Sequence, residues 1–263
     1  MPATDLYVDR PTAMHRLDAR VKLAGVGALF AACLSFTHPI YVGGLAGCVL
    51  LLAGAARAFG NLWRMRLLLV LLCLFAGLLW SVFVRGKTPL FPGWPAVVTR
   101  ESALYGVGTG LRLATLVAAG LVFLAVTRVE EFALALQRLG IPFVITFAFS
   151  TAFRLVPTLL GSTATVVEAQ RSRGLDLESG STFSRLLRHL PLLVPVMVSA
   201  IRAIDLMAMA LESRGFRAMP RRTSLIQLRM RGKDWVALVL CLGLAAGCIW
   251  LRTAGAGLVA GIR

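Results

Sequence analysis

The chain has 263 residues, of which 58% are apolar and only 15% charged, yet 28 Lys and Arg against 12 Asp and Glu leave a formal charge of +16. Soluble domains average about 45–50% apolar and about 25% charged. A basic nucleic-acid binder shares the charge but not the long uncharged stretches, so a secreted disulfide scaffold, a disordered chain and a water-soluble enzyme are excluded in favour of an integral membrane protein.

The first 22 residues mix Asp5, Asp9 and Asp18 with Arg10, Arg16, Arg20 and Lys22 and have no apolar core before a small-residue cleavage site, so they read as a cytoplasmic segment and not a signal peptide. From Leu23 to Ala56 there is no charged residue, and Thr37-His38-Pro39 breaks the run near its middle, which predicts a hairpin of two short spans. Leu67–Val84, Tyr105–Thr127 and Trp235–Leu251 are predicted as three more, giving about five transmembrane helices. They are helices and not barrel strands, because period-two alternation is absent and backbone groups in lipid must be paired internally.

With the N-terminus inside, the inner segments hold 22 basic residues and the outer ones five (Arg85, Lys87, Arg100, Arg252 and Arg263), so the positive-inside rule places the N-terminus in the cytoplasm. Arg112 falls within the fourth span, and Arg154 in a later apolar helix; an intramembrane charge is a functional candidate by default, with snorkelling or pairing the structural alternative. The five cysteines lie in predicted spans without metal-ligand spacing and read as small packing residues. Gly106-Val107-Gly108-Thr109-Gly110 lacks the lysine of a phosphate loop and predicts close helix packing.

Residues 128–234 differ, with 15 basic and eight acidic residues among apolar ones. Thr127-Arg128-Val129-Glu130 has the pattern of a capping box opening a short amphipathic helix that Gly140 and Pro142 end. Two long helical stretches follow, from about Phe143 to Arg173 with a kink expected at Pro157, and from about Phe183 to Arg214 with Pro191 and Pro195 early in it. Arg202, Asp205, Met209 and Glu212 follow helical spacing on the second, so that internal ion pairs are one reading of the three charges and signalling is the other. Both stretches read as a helical domain on the cytoplasmic side, partly sunk into the membrane.

The two stretches end alike. Ala169-Gln170-Arg171-Ser172-Arg173-Gly174-Leu175 and Ala210-Leu211-Glu212-Ser213-Arg214-Gly215-Phe216 agree in Ala, Ser, Arg and Gly at an offset of 41, each followed by an apolar residue. A basic last turn followed by glycine is an ordinary helix ending. Its repetition also fits a docking device, in which a guanidinium fork grips a carboxylate or backbone oxygens of a partner.

On these residues the chain resembles the T component, the transmembrane coupling subunit of energy-coupling factor transporters. His15-Arg16-Leu17-Asp18-Ala19-Arg20-Val21-Lys22-Leu23 looks like the family's N-terminal signature, with Ala19 where proline is common, and Phe153-Arg154-Leu155-Val156-Pro157 is similar to the stretch before the first Arg-Gly motif. Glu168 through Gly174 resembles that motif, and Pro191, Pro195, Arg202, Asp205 and Glu212-Ser213-Arg214-Gly215 resemble the second and its lead-in; Ser172 and Ser213 stand where alanine is common.

The resemblance implies an all-α integral membrane protein divided into a cytoplasmic segment (1–22), four transmembrane helices (23–127), a coupling domain (128–234) and a last transmembrane helix with its tail (235–263). It further implies two separate ABC-type ATPases that hold ATP and magnesium and a small membrane S component that captures a vitamin or a transition-metal ion. This chain would join them, with Ser172-Arg173-Gly174 and Ser213-Arg214-Gly215 seated on the ATPases and Arg154, Pro157, Glu168, Pro191, Pro195, Arg202, Asp205 and Glu212 supporting the coupling helices. The chain itself would hold no cofactor, metal or nucleic acid and catalyse nothing. A self-contained secondary transporter is the alternative, which inverted repeats would support; the halves differ in charge and span length. An intramembrane lipid enzyme would want an acid cluster that the scattered acids do not make.

Overall fold

The computed structural model describes residues 12, 14–84, 86, 99–175, 189–216, 230, 232–255 and 257. Within them lie helices α1 (Ala19–Ser35), α2 (Pro39–Ala55), α3 (Phe59–Arg64), α4 (Arg66–Phe83), α5 (Arg100–Val126), α6 (Val129–Arg138), α7 (Phe143–Ser172), α8 (Leu190–Ser213) and α9 (Gly232–Thr253), and no strand. The chain is an all-α multi-pass membrane protein. It forms two compact units, 1–140 with 228–263, and 141–227. The start of the second long stretch, 183–188, lies outside the described residues.

By length and composition five helices are candidates to span a bilayer, α4, α5, α7, α8 and α9. The predicted hairpin forms as α1 and α2, each of 17 residues. At 1.5 Å per residue that is about 26 Å, at the lower end of the length of a membrane helix. Their length is set by their ends: the Asp18 carboxylate accepts from the Arg20 N–H at 3.0 Å to open α1, and Phe36 turns extended to close it. Conversely, α7 and α8 keep their charges to the second half apart from Arg154, which leaves long apolar windows in both.

In the first unit the packing is set by missing side chains. A Cβ on Gly106 would collide with the Gly77 carbonyl and the Ser81 hydroxyl of α4, one on Gly110 with the Cys73 carbonyl, and one on Gly108 with the Thr37 carbonyl in the turn between α1 and α2. The glycine run therefore lets α5 touch backbone on two sides, as its spacing predicted. Around it, α2, α3 and α5 bury Val49, Ala53, Leu62, Ala118, Val122 and Ala125. The α1–α2 turn is held from the far end of the chain, where the Gly257 carbonyl accepts from the Thr37 and His38 N–H groups at 3.0 Å each.

Lys22 ties the other end of the unit. Its side chain is 6% exposed, and its ammonium donates to the His15 carbonyl (3.0 Å), the Val126 carbonyl (3.1 Å) and Glu131 Oε2 (3.3 Å). All three donors are used, joining the N-terminal segment, the carbonyl end of α5 and α6. Beside it the Asp18 N–H donates to Asp234 Oδ1 at 3.1 Å, which links the start of α1 to the first turn of α9.

The predicted Thr127 capping box does not form. The Thr127 N–H closes α5 on the Phe123 carbonyl, its hydroxyl is buried without a partner, and the N-cap of α6 falls one residue later, on Arg128. A capping box opens α5 instead, with Thr99 and Ser102 exchanging side-chain and backbone hydrogen bonds and moving the helix start back from Tyr105 to Arg100.

Gly110→Ala is expected to destabilise the protein by about 1–3 kcal/mol through overpacking. Gly120→Ala, in the same helix with nothing within 4 Å of the added methyl, should stabilise it by up to about 1 kcal/mol. Thermal unfolding in detergent reads both, and a like-signed pair of shifts would contradict the close α4–α5 approach.

Candidate functional site

The two Arg-Gly ends lie in the second unit, and both close in the same way. At the end of α7 the Gly174 N–H donates to the Arg171 carbonyl (2.9 Å) and the Leu175 N–H to the Gln170 carbonyl (3.0 Å). At the end of α8 the Gly215 N–H donates to the Glu212 carbonyl (2.9 Å) and the Phe216 N–H to the Leu211 carbonyl (3.0 Å). Each is a complete Schellman ending, with glycine in the left-handed position, φ +89° at Gly174 and +69° at Gly215. Glycine takes that conformation without the steric cost a Cβ brings, and nothing lies within 4 Å of a Cβ built on Gly174.

Arg173 and Arg214 are the cap residues themselves. Both are exposed, and neither side chain has a hydrogen bond or ion pair among the described residues. The preceding serines are occupied: Ser172 Oγ donates to the Glu168 carbonyl and Ser213 Oγ to the Ala210 carbonyl, each at 3.0 Å. Of each predicted Ser-Arg-Gly trio, then, the serine is tied to its own helix, the glycine makes the turn, and the arginine alone offers free donors.

The ring of Phe216 decides where the second end lies. It packs on Phe147 at 4.5 Å and Phe143 at 6.1 Å between centroids, and those two rings stack at 5.6 Å. The C-terminal end of α8 is therefore fixed beside the first turns of α7, while Arg173 sits at α7's last. The rise of α7 from Phe147 to Arg173 is on the order of 40 Å, so two like ends are presented far apart. The apolar residue after each glycine was visible in the sequence as a Schellman partner position, but its pairing with residues some 70 positions earlier was not.

The supporting residues distribute along the two helices. Pro157 lies inside α7, which continues through it, and Arg154 is exposed one turn earlier. Beyond Pro157 the hydroxyls of Ser162, Thr163 and Thr165 donate to the carbonyls of Thr158, Leu159 and Gly161, which hides polar groups on an apolar helix. Pro191 stands in the first turn of α8, where its missing N–H costs nothing, and Pro195 stands inside. Pro195 and Arg202 share one open groove along α8 with Val194, Val198, Ser199 and Leu206.

The internal ion pairs read for Arg202, Asp205 and Glu212 do not form. All three are exposed, and none of them makes an ion pair within 4 Å among the described residues. An exposed pair three apart with the basic residue first is the weaker order, and it gains little against side-chain entropy. Arg112 lies mid-way along α5, half-buried, with its Nε enclosed and without a partner. No group of three His, Cys, Asp or Glu side chains that could hold a metal occurs among the described residues.

Residues 11–225 match the family model described as cobalt transport protein, CbiQ. The chain is similar to the energy-coupling factor transporter transmembrane protein EcfT of Heliobacterium modesticaldum, 33% identical over 258 residues that cover 94% of this chain and 96% of that one. It is likewise 33% identical to the EcfT of Thermanaerovibrio acidaminovorans over 94% of this chain and 95% of the relative. To that of Thermosediminibacter oceani it is 30% identical, with coverage of 94% and 96%.

Spin labels at positions 172 and 213, in a background with the five native cysteines replaced, are expected to give a distance distribution centred at roughly 30–40 Å from the length of α7. Phe216→Ala should broaden it by releasing the ring contact. A sharp distribution at half that distance would contradict the placement of the two ends.

Proposed function

This chain belongs to the family of transmembrane (T) components of energy-coupling factor transporters, and from that premise we propose that it transmits ATP-driven motion from two cytoplasmic ABC-type ATPases to a substrate-binding S component. The family is a transmembrane transporter component and not an enzyme in its own right, and its place is in a complex with other subunits. ATP and magnesium are held by the ATPases, and the S component carries the vitamin or transition-metal ion. The N-terminus and both Arg-Gly ends face the cytoplasm across the inner membrane, as the distribution of Lys and Arg argues.

The observation that carries this reading is the pair of identical helix ends set far apart, each with one exposed and unpaired arginine. Two like ends suit two like partners. A guanidinium held on the rigid last turn of a helix loses little freedom on entering a groove, and its five donors match carboxylate or carbonyl oxygens. When the ATPases close on ATP, the ends they hold are drawn with them. Helices α7 and α8, pinned to each other through Phe216, Phe143 and Phe147, carry that displacement as stiff bodies toward the S component.

Recovery of the ATPases with tagged full-length chain from its native membranes tests the proposal. Arg173→Ala and Arg214→Ala are each expected to weaken the complex by about 2 kcal/mol, about thirtyfold. The double variant should lose the ATPases and ATP-driven uptake while still inserting and folding. A correctly inserted double variant that retained both ATPases and uptake would sink the docking role.

A further inference from the structure

The helix α2 ends with the same backbone arrangement as α7 and α8, but with an arginine where they have glycine. The Arg57 N–H donates to the Gly54 carbonyl (3.0 Å) and the Ala58 N–H to the Ala53 carbonyl (2.9 Å), so Arg57 occupies the left-handed position at φ +53°. It is the one non-glycine residue with positive φ among the described residues. Gly140, Gly174, Gly215, Gly255 and Gly257 all take positive φ. Where the chain needs a left-handed residue elsewhere it uses glycine, and here it carries the steric cost of a Cβ and keeps a cation.

The surroundings of Arg57 are cationic and apolar together. Arg57, Arg64 and Arg66 are all exposed, and no Asp or Glu occurs between Asp18 and Glu101. Arg66 lies over the ring of Trp63 at 4.2 Å, and Trp63 and Phe59 are 66% and 52% exposed. The short helix α3 that carries them is anchored by buried Leu62 and joins two apolar helices, α2 and α4, so with those two in the membrane it falls at one boundary. From Phe59 an open apolar groove runs back along α2, lined by Ala55, Gly54, Leu51, Leu50 and Gly47.

We propose that this corner is a binding site for one anionic phospholipid. The phosphate lies between the guanidinium groups of Arg57 and Arg64, with Arg66 and Trp63 at the headgroup level, and an acyl chain lies in the α2 groove. Charge complementarity selects this occupant: three arginines without an acidic neighbour in sequence need counter-charge, and at a membrane boundary the anion at hand is a lipid phosphate. The apolar groove that starts beside them takes a chain covalently attached to that anion, which a free phosphate lacks. The proposal requires only that α2 and α4 lie in the membrane and does not rest on coupling to ATPases.

Native mass spectrometry of the full chain in detergent, titrated with phosphatidylglycerol or phosphatidylcholine, tests it, beside Arg57→Gly, Arg57→Lys and Arg64→Gln/Arg66→Gln. The wild type is expected to hold phosphatidylglycerol at least tenfold more tightly than phosphatidylcholine. Arg57→Gly relieves the left-handed strain, so helix content stays and the thermal midpoint rises, while phosphatidylglycerol affinity falls about fivefold, the size of one basic residue at an anionic surface. Arg57→Lys should retain most of that affinity, and Arg64→Gln/Arg66→Gln should lose more. Equal affinity for the two lipids, or an Arg57→Gly protein that binds phosphatidylglycerol like the wild type, overturns the proposal and leaves the arginines to an acidic protein surface.

Discussion

The contact of Phe216 with Phe147 and Phe143 is the constraint on which the arrangement of the second unit depends. Without it, α7 and α8 are two apolar helices with similar endings. With it, the end of one is fixed at the beginning of the other, and the separation of Arg173 from Arg214 becomes a matter of helix length. The ring reaches that place because the Schellman ending directs the residue after the left-handed glycine back along its own helix. Local backbone geometry and the long-range contact are therefore one device, and a change at Gly215 acts on both.

The first unit is held by a different logic. Its helices approach where side chains are absent, at Gly77, Gly106, Gly108 and Gly110, because in lipid close van der Waals contact replaces the hydrophobic drive available in water. Its ends are tied by polar groups that use up their capacity. Lys22 spends all three donors on acceptors from three segments, and the carbonyl of Gly257 takes two N–H groups of the α1–α2 turn. Backbone groups that a helix end leaves open need a partner where they are shielded from water, and these ties meet them.

Much of this was legible in the sequence because it is local. The apolar runs, the break at Thr37-His38-Pro39, the stop at Gly140 and the two Arg-Gly endings each follow from neighbours within a few residues. The readings that failed are those in which another partner for the same group, in the adjoining helix or in solvent, competes. Thr127 has the sequence of an N-cap, but its N–H closes the preceding helix and shifts the cap to Arg128. Arg202 and Asp205 have the spacing of an ion pair, but on an exposed face the solvent serves each of them as well. By length and composition α7 and α8 are also candidate spans, whereas the charge at their C-terminal ends places them in the cytoplasmic-side domain. Lys22 passed as one basic residue of a charged segment, since nothing local announces that its partners include the carbonyl of Val126.

An ordinary helix ending and a docking device were two readings of the Arg-Gly pairs, and the geometry makes them compatible. A cation at the cap position is favoured by the negative end of the helix dipole, so an arginine there costs the free chain little. The Schellman hydrogen bonds satisfy the last carbonyls through the backbone alone, which relieves the guanidinium of that task. The serine hydroxyls do likewise, turning onto carbonyls of their own helices. Every local demand at these ends is met by some other group, and the arginine is left with all its donors free. Arg57 shows the converse. There the arginine sits in the turning position itself and meets the backbone demand at a steric cost that glycine would avoid. Stability permits a cation at Arg173 and Arg214 and opposes a side chain at Arg57, so at the end of α2 the arginine stands against the backbone and not with it.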